Sequence, residues 1–417
     1  MTTSASTERQ PRLAIALSGG GFRAALFHLG VLLRIAEAGW LNQVDVISSV
    51  SGGSVLGAFA SSRWTEILTL GATSDAFRSL VADPFIEIVA SRSFLHRWAL
   101  RTPLVIFRKV NGPFTRTNLA AELYETWFGL RSCSDLPAHP YFILNASNLL
   151  SGRAWRFTRD GMGDSRIGYS GWAKSFPLGA AVAASAAFPP VFPPLAVSTA
   201  EMTFSGPVYG EPALHVPPFL SLADGGVYDN LGVEVLTKRT QLHNTVLTPA
   251  EFLLVSDGGF PPQSRFRASG LPAVGEGLLL YRVDELARDQ VGALRRRMLV
   301  RQFRSTDDPV RGALIVLGSG LTKLPPAAYA TYVEAVGASA LIPPDLIARL
   351  HRTRTNLNAF SRLEAEALMY HGYTLTDGVL WAYQNEHPTM FRMPHPGAWR
   401  IDFTSTTIAE WKRALQR

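Results

Sequence analysis

Leu13-Ala14-Ile15-Ala16-Leu17-Ser18-Gly19-Gly20-Gly21-Phe22-Arg23 decides the architecture of this chain. The apolar run from Leu13 to Ser18 halts at three glycines, the pattern of a strand buried on both faces. From Phe22 to Trp40, Leu26, Leu29, Leu32, Leu33, Ile35 and Ala36 recur at helical spacing and predict a helix. Val44 to Val50 repeats the strand pattern, and Ser51-Gly52-Gly53 leads into a second helical stretch from Ser54. Two strand–turn–helix units within about fifty residues imply parallel strands with helices on the sheet faces. Further core strands are expected at Tyr141–Leu144, Phe219–Ala223, Phe252–Ser256 and Ala313–Leu317. Leu278 to Arg301 reads as a helix carrying arginines at 282, 288, 295, 296, 297 and 301, and another helix is expected near Phe360–Tyr370.

With 417 residues, the chain can bury the core of one large domain or two ordinary ones. No linker separates a second domain. The expected division is a disordered leader at 1–11, a main domain at 12–324, and a C-terminal extension at 325–417 packed on it. Lys and Arg exceed Asp and Glu by 40 − 33 = 7, so anionic partners are favoured: a phospholipid surface, a nucleic acid or an acidic substrate. The single Cys133 excludes an intrachain disulfide framework and a cysteine-rich metal site. The polar start lacks the pattern of a secretory signal. The least polar long stretch, Leu178 to Val197, holds Pro189, Pro190, Pro193 and Pro194 and is not expected to span a membrane. A cytoplasmic protein that can sit peripherally on membranes is the expectation.

Three stretches carry chemistry. In Ser18-Gly19-Gly20-Gly21-Phe22-Arg23, glycines let backbone N–H groups approach a ligand and a helix N-terminus adds partial positive charge. This suits a phosphate or a developing oxyanion, or it is only a tight turn. The P-loop needs Lys and Ser or Thr after its last glycine, where this chain has Phe22-Arg23-Ala24; the dinucleotide pattern would need glycine at Ala24. In Ser49-Val50-Ser51-Gly52-Gly53-Ser54, Ser51 has small neighbours two residues away on either side, Ser49 and Gly53, as a nucleophile elbow requires. Ser54 and Ser49 fit worse, with Leu56 and Ile47 at the equivalent offsets; the plain alternative is a capped glycine turn. In Asp224-Gly225-Gly226-Val227-Tyr228-Asp229-Asn230, an acid ends an apolar strand and can take a serine proton directly, or it makes an ordinary Asp-Gly turn. Asp257-Gly258-Gly259 offers the same local chemistry, and spacing alone does not separate the two acids. None of the nine histidines belongs to such a stretch; His28 falls inside the first helix and reads as structural, and His387 and His395 sit in the Pro-rich tail.

Taken in this order, the three stretches resemble the patatin-like phospholipase family, whose members carry a G-G-G-x-R loop, a G-x-S-x-G elbow and a D-G-G or D-G-A motif. The matching residues are Gly19-Gly20-Gly21-Phe22-Arg23, Ser49-Val50-Ser51-Gly52-Gly53 and Asp224-Gly225-Gly226, with Ser49 replacing the usual first glycine. Ala181-Val182-Ala183-Ala184-Ser185-Ala186-Ala187-Phe188-Pro189 is similar to the family's small-residue segment ending in proline. The resemblance covers roughly residues 12–320. It implies a three-layer α/β/α sandwich with a mainly parallel central sheet, and a histidine-free dyad of Ser51 as nucleophile and Asp224 as general base. It also implies an oxyanion hole drawn from Gly19, Gly20 and Gly21, with Gly52 adjoining and Arg23 either orienting the loop or meeting a phosphate. Asp257 is then a strand-end acid with a structural partner.

The activity implied is hydrolysis of fatty-acyl esters of phospholipids or other acyl lipids, of the phospholipase A or lysophospholipase type. It needs no metal and no cofactor. The basic and aromatic stretch 91–109 is the expected contact with an anionic lipid surface, against the plainer reading of a solvated helix. Arg295-Arg296-Arg297 reads as a solvated helix face, and no nucleic-acid partner is expected. The rival readings are a phosphate- or nucleotide-binding protein using Gly19–Gly21 and a lipid-binding protein without catalysis. Head group, acyl position, any activator and oligomeric state are not readable from the sequence.

Overall fold

Leu13–Leu17 forms β1 in the computed structural model, which describes residues 12–91, 115–172, 176–189, 191–210, 212, 214–237, 241–242, 245–246, 250–259, 272–305, 310–355, 358–387, 393 and 395–416. All five β1 side chains are buried, and they divide between two cores by the two-residue period of a strand. Leu13, Ile15 and Leu17 join one core with helices α1 (Gly21–Glu37) and α2 (Gly52–Thr69), whereas Ala14 and Ala16 join the other with Leu231, Val233, Val255 and Leu299. A strand covered on both faces has no polar face to show in its sequence. That is why LAIAL reads as an unbroken apolar run.

β1 lies between β2 (Val44–Val50) and β11 (Phe252–Asp257), parallel to both, with Ile15 opposite Ile47 and Leu254. β12 (Arg311–Val316) and β3 (Tyr141–Asn148) extend the parallel half on either side. Beyond β3 the sheet turns antiparallel through β4 (Arg153–Phe157), β5 (Gly161–Asp164) and β6 (Gly168–Gly171). β7 (Leu195–Ser198) and β8 (Phe219–Asp224) form an antiparallel pair attached to the end of β3. β9 (Gln241–Leu242) and β10 (Thr245–Val246) make a separate small hairpin. The central sheet is therefore mixed, ten strands flanked by helices, and its parallel half follows the elements read from sequence.

One exchange in this sheet positions the site. β3 pairs with β2 as far as Asn145 opposite Val50, and with β8 from Ala146 opposite Asp224. β4 holds the other edge of β3 over the same residues. When β2 leaves the sheet at Ser51, β8 arrives from the opposite direction and takes its place. The end of β2 and the end of β8 thus meet beside one pair of adjacent residues in β3.

The small-residue helix α3 (Leu178–Ser185) precedes Ala186-Ala187, and α4 (Pro272–Phe303) is the long arginine-bearing helix. The helix expected near Phe360–Tyr370 runs much further, as α5 (Arg362–Glu386), starting at a capping box of Ser361 and Glu364. α5 crosses α1 at glycines: a methyl group on Gly30 would lie 1.8 Å from the Met369 carbonyl oxygen, and one on Gly372 2.0 Å from that of Phe27. Below the crossing, Arg34 donates to Asp377 at 2.8 Å with both side chains fully buried. Among the described residues no helix is long and apolar enough to cross a membrane.

Candidate active site

Ser51 caps α2 with φ 51° and ψ −118°, a backbone conformation that non-glycine residues rarely adopt. A sharp strand-to-helix bend of this kind lifts a serine hydroxyl clear of the sheet. The bend is held from below by hydroxyls. Ser51 N–H donates to Ser185 Oγ at 2.9 Å, and Ser185 Oγ donates to the Asn145 carbonyl at 2.6 Å. Ser54 Oγ lies 2.9 Å from Ser185 Oγ and donates to Ser49 Oγ at 3.1 Å, and Ser49 donates to the Ile143 carbonyl at 3.2 Å. Ser49 and Ser54 are fully buried, so neither is placed to attack a substrate. The serine at 49 fits because Gly57 faces it, where a methyl group would lie 3.2 Å from Ser49 Oγ. Gly53 is required more strictly, since a side chain there would meet the Leu17 carbonyl oxygen at 2.4 Å.

Asp224 ends β8 almost fully buried and lines the same cavity as Ser51. Burial pushes its pKa up to about 6, opposed by the nearby Ser51 side chain, the Gly226 amide and the charge of Arg288. Gly226 N–H donates to Asp224 Oδ1 at 2.6 Å. The segment after α3 grips this strand end: Asp224 N–H donates to the Ala187 carbonyl at 3.0 Å and Gly225 N–H to that of Ser185 at 3.1 Å. Ser185 therefore touches both partners, Ser51 through its hydroxyl and the Asp-Gly-Gly turn through its carbonyl. The sequence singled this segment out only as small residues before a proline.

The glycine loop needs adjustment. Gly20 (φ 144°) and Gly21 (φ 62°) occupy backbone conformations that favour glycine, and both line the cavity above Ser51, as does Gly52. Gly21 and Gly52 open α1 and α2, where N–H groups have no preceding carbonyl of their own helix to bond. Gly19 was expected in the oxyanion hole, but its N–H donates to the Asn230 carbonyl at 3.0 Å. Arg23 was expected to meet a phosphate or orient the loop. It is fully buried, outside the cavity wall, and donates to the carbonyls of Gly258 at 2.6 Å and His351 at 2.9 Å. It ties the loop to its neighbours.

Asp257, the second candidate acid, has Arg296 Nε at 2.5 Å and accepts from Gly259 N–H at 2.9 Å. Arg295 lies 3.6 Å from Asp229 and 3.4 Å from Glu234. Two of the three arginines read as a solvated face thus hold acids beside the site, and only Arg297 is exposed. His28 is fully buried, with Nδ1 2.6 Å from Ser256 Oγ and Nε2 2.9 Å from the Ser18 carbonyl, which requires the proton on Nε2. Burial lowers its pKa to about 4, so it stays neutral and structural. Among the described residues no histidine lines the cavity. Most of the basic-aromatic stretch 91–109, and the leader at 1–11, lie outside the described residues.

The sequence profile of patatin-like phospholipases matches residues 15–237. The chain belongs to the patatin-like phospholipase family. The matched span takes in the glycine loop, Ser51, Ser185 and Asp224 and ends before Asp257. No curated protein matches the chain. Among solved structures, human GIVD cytosolic phospholipase A2 superimposes with a TM-score of 0.51 at 13% identity, over 91% of this chain and 60% of its own. The chain thus spans about 60% of the length of that enzyme, with which it shares the fold. The same human protein with methyl gamma-linolenyl fluorophosphonate gives a TM-score of 0.45 at 14% identity over 94% of this chain and 61% of its own. VipD from Legionella pneumophila gives 0.30 at 12% identity over 76% and 64%.

In this patatin-like fold the cavity over Ser51 and Asp224 measures about 610 Å³. Phe22, Val55, Tyr124, Phe188 and Phe192 form apolar walls, and α4 contributes Glu285, Arg288, Asp289 and Arg296 on another side. The Arg288 guanidinium stacks 4.5 Å from the centre of the Phe188 ring. The lining thus combines apolar walls with a few charged groups, as small-molecule sites do.

Proposed function

We propose that the protein is a serine lipid acyl hydrolase of the phospholipase A or lysophospholipase type, acting through a Ser51–Asp224 dyad. The observation that carries this reading is Ser51 at a strained strand-to-helix elbow and the buried Asp224 lining one apolar-walled cavity together. As a carboxylate, Asp224 takes the Ser51 proton while Ser51 Oγ attacks the ester carbonyl. The backbone N–H groups of Gly20 and Gly21, with Gly52 adjoining, receive the negative oxygen of the tetrahedral intermediate, each such donor being worth roughly 3–4 kcal/mol. Collapse of the intermediate returns the proton to the departing alcohol and leaves an acyl-serine. Asp224 then takes a proton from water as its oxygen attacks the acyl group, and collapse of this second intermediate breaks the acyl–Oγ bond, returns that proton to Ser51 Oγ and releases the fatty acid.

The aromatic walls accommodate the acyl chain, and the charged residues of α4 face the polar part of the lipid. Incubation with mixed phospholipid micelles, followed by mass spectrometry of the lipids, tests this reading. Fatty acid and lysophospholipid should accumulate with the wild-type protein and not with Ser51→Ala. Equal release by the two proteins, or none by either, refutes it.

A further inference from the structure

α4 is oriented the wrong way round for a helix packed on a protein surface. The ordinary arrangement puts apolar side chains inward and polar ones outward. Over 279–298 the inward side instead carries Glu285, Arg288, Asp289 and Arg296 on the cavity wall. The outward side carries Leu280 at 71% exposure, Val283 at 55%, Leu294 at 46% and Met298 at 69%, with Leu279, Leu286 and Val291 also exposed. Toward its C-terminal end the helix turns Leu299 and Phe303 into the second core. Among the described residues nothing covers the outer stripe, and single scattered apolar residues would need no explanation whereas a stripe along several turns does.

We propose that this outer face of α4 is a docking surface for the phospholipid layer that holds the substrate; the inference rests on the acyl-lipid reading above. Three observations select a lipid surface. The cavity opens to solvent beside this helix, since Tyr281 of α4 and Val191 line it and are exposed at 40% and 49%. Among the exposed residues of 279–301 the charged ones are Asp284, Arg297 and Arg301, and Asp284 is paired with Arg288, which leaves a net positive rim for anionic head groups. The full chain carries a net charge of +7, the sign such a surface attracts. A helix lying in the interface with its apolar face in the acyl boundary needs this composition.

The test is partition of the full chain into vesicles of phosphatidylcholine and phosphatidylglycerol, measured by sedimentation. Wild type and Ser51→Ala should partition alike, because docking does not require the nucleophile. The triple variant Val283→Gln, Leu294→Gln, Met298→Gln should partition at least about tenfold less, since each substitution removes apolar area from the bilayer. Its hydrolysis of a soluble monomeric short-chain ester should equal that of wild type. A polarity-sensitive dye on Leu294→Cys should shift its emission to the blue on vesicles; the native Cys133 is fully buried and leaves the label at one position. If vesicle binding holds while no ester is cleaved, docking stands and the hydrolase reading falls. Partition of the triple variant equal to wild type overturns the inference. So does a wild-type dimer in sedimentation that the triple variant converts to monomer without any vesicle binding, which assigns the stripe to a second copy of the chain.

Discussion

Asp224 sets the pH behaviour expected of the site. In the proposed mechanism its carboxylate accepts the Ser51 proton, and burial keeps the Asp224 carboxyl protonated up to about pH 6. Turnover of a monomeric ester should therefore rise with pH through about 6 and level off above it, and a flat profile from pH 4 to 8 would contradict the assignment. Asp224→Asn keeps the shape but not the basicity and should lower the acylation rate by about 10²–10⁴-fold. Stability runs the other way. A carboxyl with a raised folded pKa stabilises the fold while protonated and loses that contribution as pH rises through the folded value. Against wild type, Asp224→Asn should thus gain thermal stability at pH 8 and not at pH 4. Ser185 is the second residue to test. Replacing it with Ala leaves the buried Ser51 N–H without its acceptor and should cut kcat by about ten- to a hundredfold with little change in KM. Circular dichroism should remain that of wild type. Ser51 and Asp224 stood out in the sequence because each lies between an apolar strand and a glycine turn. The roles of Ser185, Arg23 and Arg296 did not, because each depends on a residue more than a hundred positions away or on another element.

At the scale of elements, most of the strands that could be read were buried on both faces, β8 with its exposed Phe219 and Ser221 being the exception. β1, β2 and β11 are short apolar runs, and the sheet places them side by side. Of the antiparallel strands, β4, β5 and β6 were not legible, for an equally physical reason. β4, β5 and β6 carry glycines and charged side chains inside the structure, such as Arg156 on Tyr169 Oη at 2.6 Å and Asp164 accepting from Asn148 at 2.8 Å. Such strands show no alternation of apolar and polar residues. α5 was legible only in its first part because buried His371, Thr374, Thr376 and Asp377 interrupt its apolar spacing. Its crossing with α1 gives a prediction at this scale. Gly372→Ala puts a methyl group against the Phe27 carbonyl and should destabilise the protein by about 1–3 kcal/mol or more, read as a lower midpoint in urea. Activity per folded molecule should change little, since neither helix brings that crossing to the cavity. A variant as stable as wild type would show that the close approach of α1 and α5 is not a constraint.

Across the whole molecule, the sheet exchange at β3, the grip of the segment after α3 and the wall supplied by α4 converge on one chamber. Its charge pattern separates two similar acids by environment: Asp257 lies behind the chamber wall, paired with Arg296 of that wall, whereas Asp224 lines the chamber with Ser51. The most direct test of this account is the site and rate of adduct formation with an alkyl fluorophosphonate, followed by intact mass and peptide mapping. The account predicts one adduct per chain on Ser51, none on Ser51→Ala, formation slowed by orders of magnitude in Asp224→Asn and nearly unchanged in Asp257→Asn. An adduct on another serine, or loss of labelling in Asp257→Asn with Asp224→Asn near normal, would contradict it.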